Sequence, residues 1–126
     1  MKLTESLKTL ITEIASIETV MDCVKNRRRC IIYYDGDEPG GKGLREIEPV
    51  AFGISKRGNR VIRAWENEGS SHRGYLGKRP MPGWRFFRLD KILSMKPTDE
   101  IFDEIRPNFN PNGDKSMNSV IIVSKF

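Results

Sequence analysis

From residue 3 to residue 24 the apolar positions recur at three- and four-residue steps. Leu3, Leu7, Leu10, Ile11, Ile14, Ile17, Val20, Met21 and Val24 therefore share one face of a helix, continuous or broken near Ser16 and Ile17. Thr4 is its candidate N-cap. The stripe has to be covered, either by the rest of the fold or by the same helix of a second copy. After Lys25-Asn26-Arg27-Arg28-Arg29 the period changes. Cys30-Ile31-Ile32-Tyr33-Tyr34 is β-branched and aromatic and reads as a strand, bounded by Asp35-Gly36. Leu44 to Ile54 alternates into a second strand that ends at Pro49 or soon after. Lys56-Arg57-Gly58-Asn59 is a tight-turn signal and joins it, as a hairpin, to a third strand ending at Trp65. Trp84-Arg85-Phe86-Phe87-Arg88-Leu89 gives a fourth strand, running into Asp90-Lys91-Ile92, and Val120 to Val123 a last one. Residues 35–43 and 66–83, rich in Gly, Ser and Pro, are loops.

A helix followed by about five short strands predicts a mainly β chain. Residues 1–24 form the N-terminal helical segment, and residues 25–126 a small antiparallel barrel or sandwich with a C-terminal strand extension. Such barrels are too narrow for an internal cavity, which assigns function to the outer face and the loops.

The 126 residues suffice for one core. Lys and Arg number 22 against 17 Asp and Glu, a net charge of +5, and the sequence pI is about 9.4. That balance favours polyanionic partners, nucleic acid first among them. No run approaches the roughly 18 apolar residues of a membrane helix. Thr4, Glu5, Ser6 and Lys8 interrupt any signal-peptide core, so a cytoplasmic protein is predicted. Cys23 and Cys30 lack C-x-x-C spacing and are expected as reduced, buried thiols. The single histidine, His72, lies in a Gly/Ser-rich turn and excludes most histidine-based metal sites.

Catalytic motifs are missing: the chain has no G-x-S-x-G, no glycine-rich phosphate loop followed by Lys-Ser/Thr, and no H-E-x-x-H. A non-enzymatic protein without cofactor or metal is expected. Gly40-Gly41-Lys42-Gly43 lacks the helix a phosphate cradle needs and reads as a hairpin tip. Asp35, Asp37 and Glu38 form a solvated acidic loop, and residues 108–118 a turn without the closing glutamate of a calcium loop.

The basic residues alternate with aromatics. Arg85, Arg88 and Lys91 lie beside Trp84, Phe86 and Phe87. Strand periodicity separates Arg85 from Arg88, although a bend near Phe87 would bring both to one rim. Arg63 lies in the third strand and Arg45 opens the second. A guanidinium can donate two hydrogen bonds to one phosphate and stack on bases, and Tyr33, Tyr34 or Trp65 could offer stacking surfaces. Against this stands a plainer reading, in which the aromatics fill the core and the arginines snorkel from it.

In order along the chain, Val24-Lys25-Asn26-Arg27-Arg28, Ile32-Tyr33-Tyr34, Arg45-Glu46-Ile47-Glu48-Pro49-Val50 and Arg85-Phe86-Phe87-Arg88-Leu89-Asp90-Lys91-Ile92 resemble the landmarks of the WYL domain family. Phe102 falls where that family often has a closing phenylalanine, and the likeness spans roughly residues 18–105. The third strand carries Arg60-Val61-Ile62 where the eponymous tripeptide would stand. The resemblance implies a five-stranded Sm-like barrel after a short helix, with a basic and aromatic ligand site on its face. It also implies a ligand-sensing part of a transcription regulator, or an accessory factor that binds single-stranded RNA or DNA. Tyr34, Arg45, Arg63, Arg85 and Arg88 are the residues it marks as ligand contacts.

Residues 1–24 leave no room for a winged helix-turn-helix, so a standalone module is expected, of the kind phages and mobile elements carry. Its ligand would be single-stranded DNA, RNA or a nucleotide, with Arg45, Arg85 and Arg88 on phosphate, Arg63 assisting and Tyr34 stacking a base. The alternative is an adaptor whose N-terminal helix docks on a partner complex, or pairs with itself in a homodimer.

Overall fold

A computed structural model of the chain describes residues 17–36, 42–67 and 82–126. The expectations for residues 3–16, for Asp37, Glu38, Gly40 and Gly41, and for His72 lie outside the described residues. Residues 17–26 are helical (α1) and six strands follow: β1 (Arg28–Asp35), β2 (Lys42–Ser55), β3 (Arg60–Glu66), β4 (Gly83–Arg88), β5 (Ile92–Ile101) and β6 (Met117–Val123). Arg27, at φ 55, takes the left-handed conformation that stops the helix, and β1 starts at the next residue.

All pairings are antiparallel, in the order β4-β3-β2-β1-β5, with β6 added to β2. The 14-residue β2 is the axis of the sheet. Its first half pairs with β1 and its second half with β3 and β6, and Ile47 faces both Cys30 and Glu66. Pro49 does not end this strand. It sits at a register shift, opposite Ala64, and β2 continues to Ser55. The expected 56–59 turn closes the β2–β3 hairpin, with Gly58 at φ 86 and the Ser55 N–H bonded to the Asn59 carbonyl at 2.8 Å.

Two features depart from a five-stranded closed barrel. Among the described residues there are six strands in one sheet, and that sheet is not closed: β4 and β5, the two ends of its path, share no ladder. The additional strand is β5, Ile-Leu-Ser-Met-Lys-Pro-Thr-Asp-Glu-Ile. It is an edge strand with a mostly exposed face and a register shift, so it lacks the alternation that marks a half-buried strand. Pro97 within it is tolerated because only one side is paired. Yet β4 and β5 are joined by a single 3-10 turn, Leu89–Lys91, so the sheet has to curl until its ends meet at that corner.

The curl encloses the main core, and Ala51, Val61 and Met117 form a second, smaller cluster. In the main core Val20, Cys23 and Val24 of α1 pack with Cys30, Ile32, Ile47, Phe52, Ile62, Ala64 and Phe87, and Ile17 and Met21 lie against them. The apolar stripe of residues 17–24 is thus covered by the sheet of its own chain. Ser124, buried, donates its hydroxyl to the Val24 carbonyl at 2.6 Å and ties the C-terminus to the end of α1. No described helix is long and apolar enough to cross a membrane.

Candidate nucleic-acid interface

Antiparallel order brings the end of β1, the start of β2, the end of β3 and the start of β4 to one end of the sheet. Tyr34, Arg45, Glu66 and Arg85 occupy those four places. Register puts all four side chains on the inner face. Tyr34 is two residues from Ile32, which pairs with Arg45; Glu66 pairs with Ile47, and Arg85 with Ala64.

Glu66 is the centre of this group. Wholly buried, it receives Arg45 Nη1 at 3.2 Å and lies 3.6 Å from Arg85 Nε. A buried carboxylate needs such partners, because ionised groups taken from water without them cost several kcal/mol. Arg45 is buried with it, and its guanidinium stands 5.8 Å above the Tyr34 ring. Arg85 is about one third exposed and also bonds the Trp84 carbonyl at 3.0 Å. Tyr34 is held from the other side: Phe87 meets its ring edge at 4.9 Å, and the Arg88 N–H donates to its hydroxyl at 3.1 Å. Both contacts run from β1 to β4 across the interior of the curl. The site residues therefore line the inner face at one end of the sheet, where an outer-face site was expected of a closed barrel.

The remaining two of the five residues stand elsewhere. The β3–β4 register is unbroken through Val61–Arg88, so no bend brings Arg88 to the side of Arg85. Its guanidinium pairs with Asp90 at 2.7 and 3.0 Å, in the open. Arg63 is on that same outer face. It lies 4.3 Å from the Phe86 ring centroid and bonds Asp114 at 2.6 Å. Burial pushes the Asp114 carboxyl up, but the Arg63 hydrogen bond and the Ser116 N–H outweigh it and hold it below its ordinary range. A cavity of about 150 Å³ beside Arg63 is lined by Val50, Trp84, Asn108, Asn110, Gly113 and Asp114. Trp65 lies at the same end as Tyr34 but on the outer face. It meets Trp84 edge-on at 5.4 Å and carries the Arg106 guanidinium at 5.3 Å.

Sequence reasoning did not single out Glu66 or Glu48. Glu48, also wholly buried, accepts from Arg106 Nε and Nη2 at 3.0 and 2.8 Å and from Arg29 Nη2 at 2.9 Å. Burial pushes its carboxyl up, and the two arginines more than reverse this, leaving it below the usual carboxylate range. The signal was a glutamate at an alternating strand position flanked by Ile47 and Pro49; a carboxylate there needs a cation brought from elsewhere. The structural clamp on Glu48 and the inner cluster around Glu66 are separate, on opposite faces of β2. No protein-family model, curated protein or solved structure matches this chain.

Proposed function

We propose that the chain is a ligand-sensing or accessory regulatory module of WYL type, which binds single-stranded nucleic acid or a nucleotide at the Tyr34–Arg45–Arg85 end of the sheet. The observation that carries this reading is the convergence of an aromatic ring and two guanidinium groups, from three strands, around the buried Glu66. Arg85, the more exposed of the two, contacts phosphate; Arg45 is fixed behind it by Glu66 and Tyr34. The net charge of +5 draws the polyanion in. Arg88 contributes its backbone N–H to Tyr34, and Arg63 braces the opposite face.

The Sm-like barrel belongs to the same proposal. The order β4-β3-β2-β1-β5, the long bent β2 and the single turn between β4 and β5 support it. The adaptor reading draws less support from the described helix, because the apolar stripe of residues 17–24 is spent on the core.

Fluorescence anisotropy with labelled single-stranded DNA, single-stranded RNA and duplex controls, at low and high salt, tests the proposal. Salt-sensitive binding to single strands is expected, with Arg85→Ala weakening it roughly tenfold or more while the circular dichroism spectrum is kept. Arg88→Ala is expected to bind as the parent does. Equal affinity of Arg85→Ala and parent, or no binding at low salt, refutes the assignment.

A further inference from the structure

Cys23 in α1 and Cys30 in β1 take no part in the site above, and they face one another inside the core. Both are fully buried, and their Sγ atoms are 3.0 Å apart, the Cys30 thiol donating to the Cys23 sulfur. The chain reverses between them, at Arg27, so the contact is made by packing the helix end against the strand. Neither sulfur is engaged in a disulfide. The geometry points to a reversible modification site: an intramolecular Cys23–Cys30 disulfide formed by hydrogen peroxide. A disulfide bond is about 2.05 Å long, so the sulfurs have to close by roughly 1 Å.

Cys23 is the attacking group. The hydrogen bond from Cys30 outweighs burial and the Asp22 charge and holds its thiol below the usual value. The same hydrogen bond, followed by burial, pushes the Cys30 thiol up. The Cys23 thiolate attacks one peroxide oxygen; the S–O bond forms, the O–O bond breaks, and hydroxide leaves to take a proton as water. The Cys30 sulfur then attacks the Cys23 sulfur of the sulfenic acid. The S–S bond forms, the S–O bond breaks, and a second water leaves with the Cys30 proton. Two thiols lose two electrons in total, and one peroxide is reduced to two waters. Hydrogen peroxide is little larger than water, so access needs local opening at the end of α1 and not global unfolding.

The test uses the folded 126-residue chain treated with hydrogen peroxide, then denatured and alkylated. Both thiols are expected to disappear together, the chain to stay monomeric on a non-reducing gel, and dithiothreitol to restore both. Tryptic digestion is expected to join peptides 9–25 and 30–42, which carry Cys23 and Cys30. In a Cys30→Ser variant, folding checked by circular dichroism, oxidation is expected to stall at a Cys23 sulfenic acid that dimedone captures. Thiols that persist at peroxide levels sufficient to oxidise the urea-unfolded chain overturn the proposal. So do disulfides between chains, or one cysteine alone carried to sulfinic acid. The parent chain decides these outcomes even if the variant fails to fold.

Discussion

The hydroxyl of Tyr34, on β1, accepts the backbone N–H of Arg88, on β4, at 3.1 Å. Three strand-to-strand steps separate these residues along the sheet, so the bond forms only because the sheet curls on itself. Tyr34→Phe removes the acceptor and keeps the ring that meets Phe87 and Arg45. The expected cost is about 1 kcal/mol of stability, the net worth of one hydrogen bond plus part of a stranded donor. Urea unfolding measures it. Single-strand affinity is expected to change by less than about twofold, since the stacking face survives. A loss of affinity matching that of Arg85→Ala would assign the hydroxyl itself to the ligand.

Arg63 and Arg85 separate the two faces of β3 and β4. Arg63 lies on Phe86 and bonds Asp114 on the outer face. Arg63→Ala is expected to lose about 1–2 kcal/mol in denaturant unfolding, through lost packing and a stranded carboxylate. Its nucleic-acid affinity is expected to stay near the parent's. Arg85→Ala takes one of two cations from the buried Glu66, so it is expected to cost a similar amount of stability but, unlike Arg63→Ala, a large part of the affinity as well. An Arg63→Ala variant that loses as much affinity as Arg85→Ala would mean that the ligand lies across the outer face.

Gly53 is on β2 where β6 crosses closely. A Cβ there would fall on the Ser119 carbonyl oxygen and 2.8 Å from the Met117 sulfur. The thioether can move; the backbone oxygen cannot without shifting the β2–β6 ladder. Gly53→Ala is therefore expected to destabilise by about 1–3 kcal/mol. Thermal unfolding, with circular dichroism of the native baseline, checks whether β6 stays attached.

Much of the architecture was legible because local chemistry and tertiary demand agreed. Residues 17–24 carry a helical stripe that is buried as a stripe, and Gly58 marks the turn that closes the β2–β3 hairpin. Strand β5 was hidden because an edge strand needs no alternation and because Pro97 argues against a strand. Pro49 misled in the same way: a register shift absorbs it. In the site, strand periodicity already put Arg85 and Arg88, three apart, on opposite faces of β4, and the strand does not bend. Which of the nominated residues meet across strands was not legible. Glu66 and Glu48 were opaque for a different reason. Their meaning depends on Arg45, Arg85, Arg29 and Arg106, which only the folded sheet brings to them.

Glu48 makes the fold acid-sensitive. Its carboxyl is depressed in the folded chain by Arg106 and Arg29, as is that of Asp114 by Arg63. A depressed carboxyl contributes stability that is complete above its unfolded-state value, about 4, and is lost as pH falls through its lower folded value. Thermal midpoints measured from about pH 7 to about pH 2.5 are therefore expected to drop most steeply below about pH 4. Glu48→Gln keeps the shape but removes the charge that two arginines share. Its expected cost at neutral pH is about 1–3 kcal/mol, because Arg29 and Arg106 lose their buried partner and are left with the more exposed Glu100 and Glu104. In acid the parent's Glu48 becomes neutral too, so the two curves are expected to converge. A constant difference between parent and variant across the whole range would place the acid sensitivity in some other group.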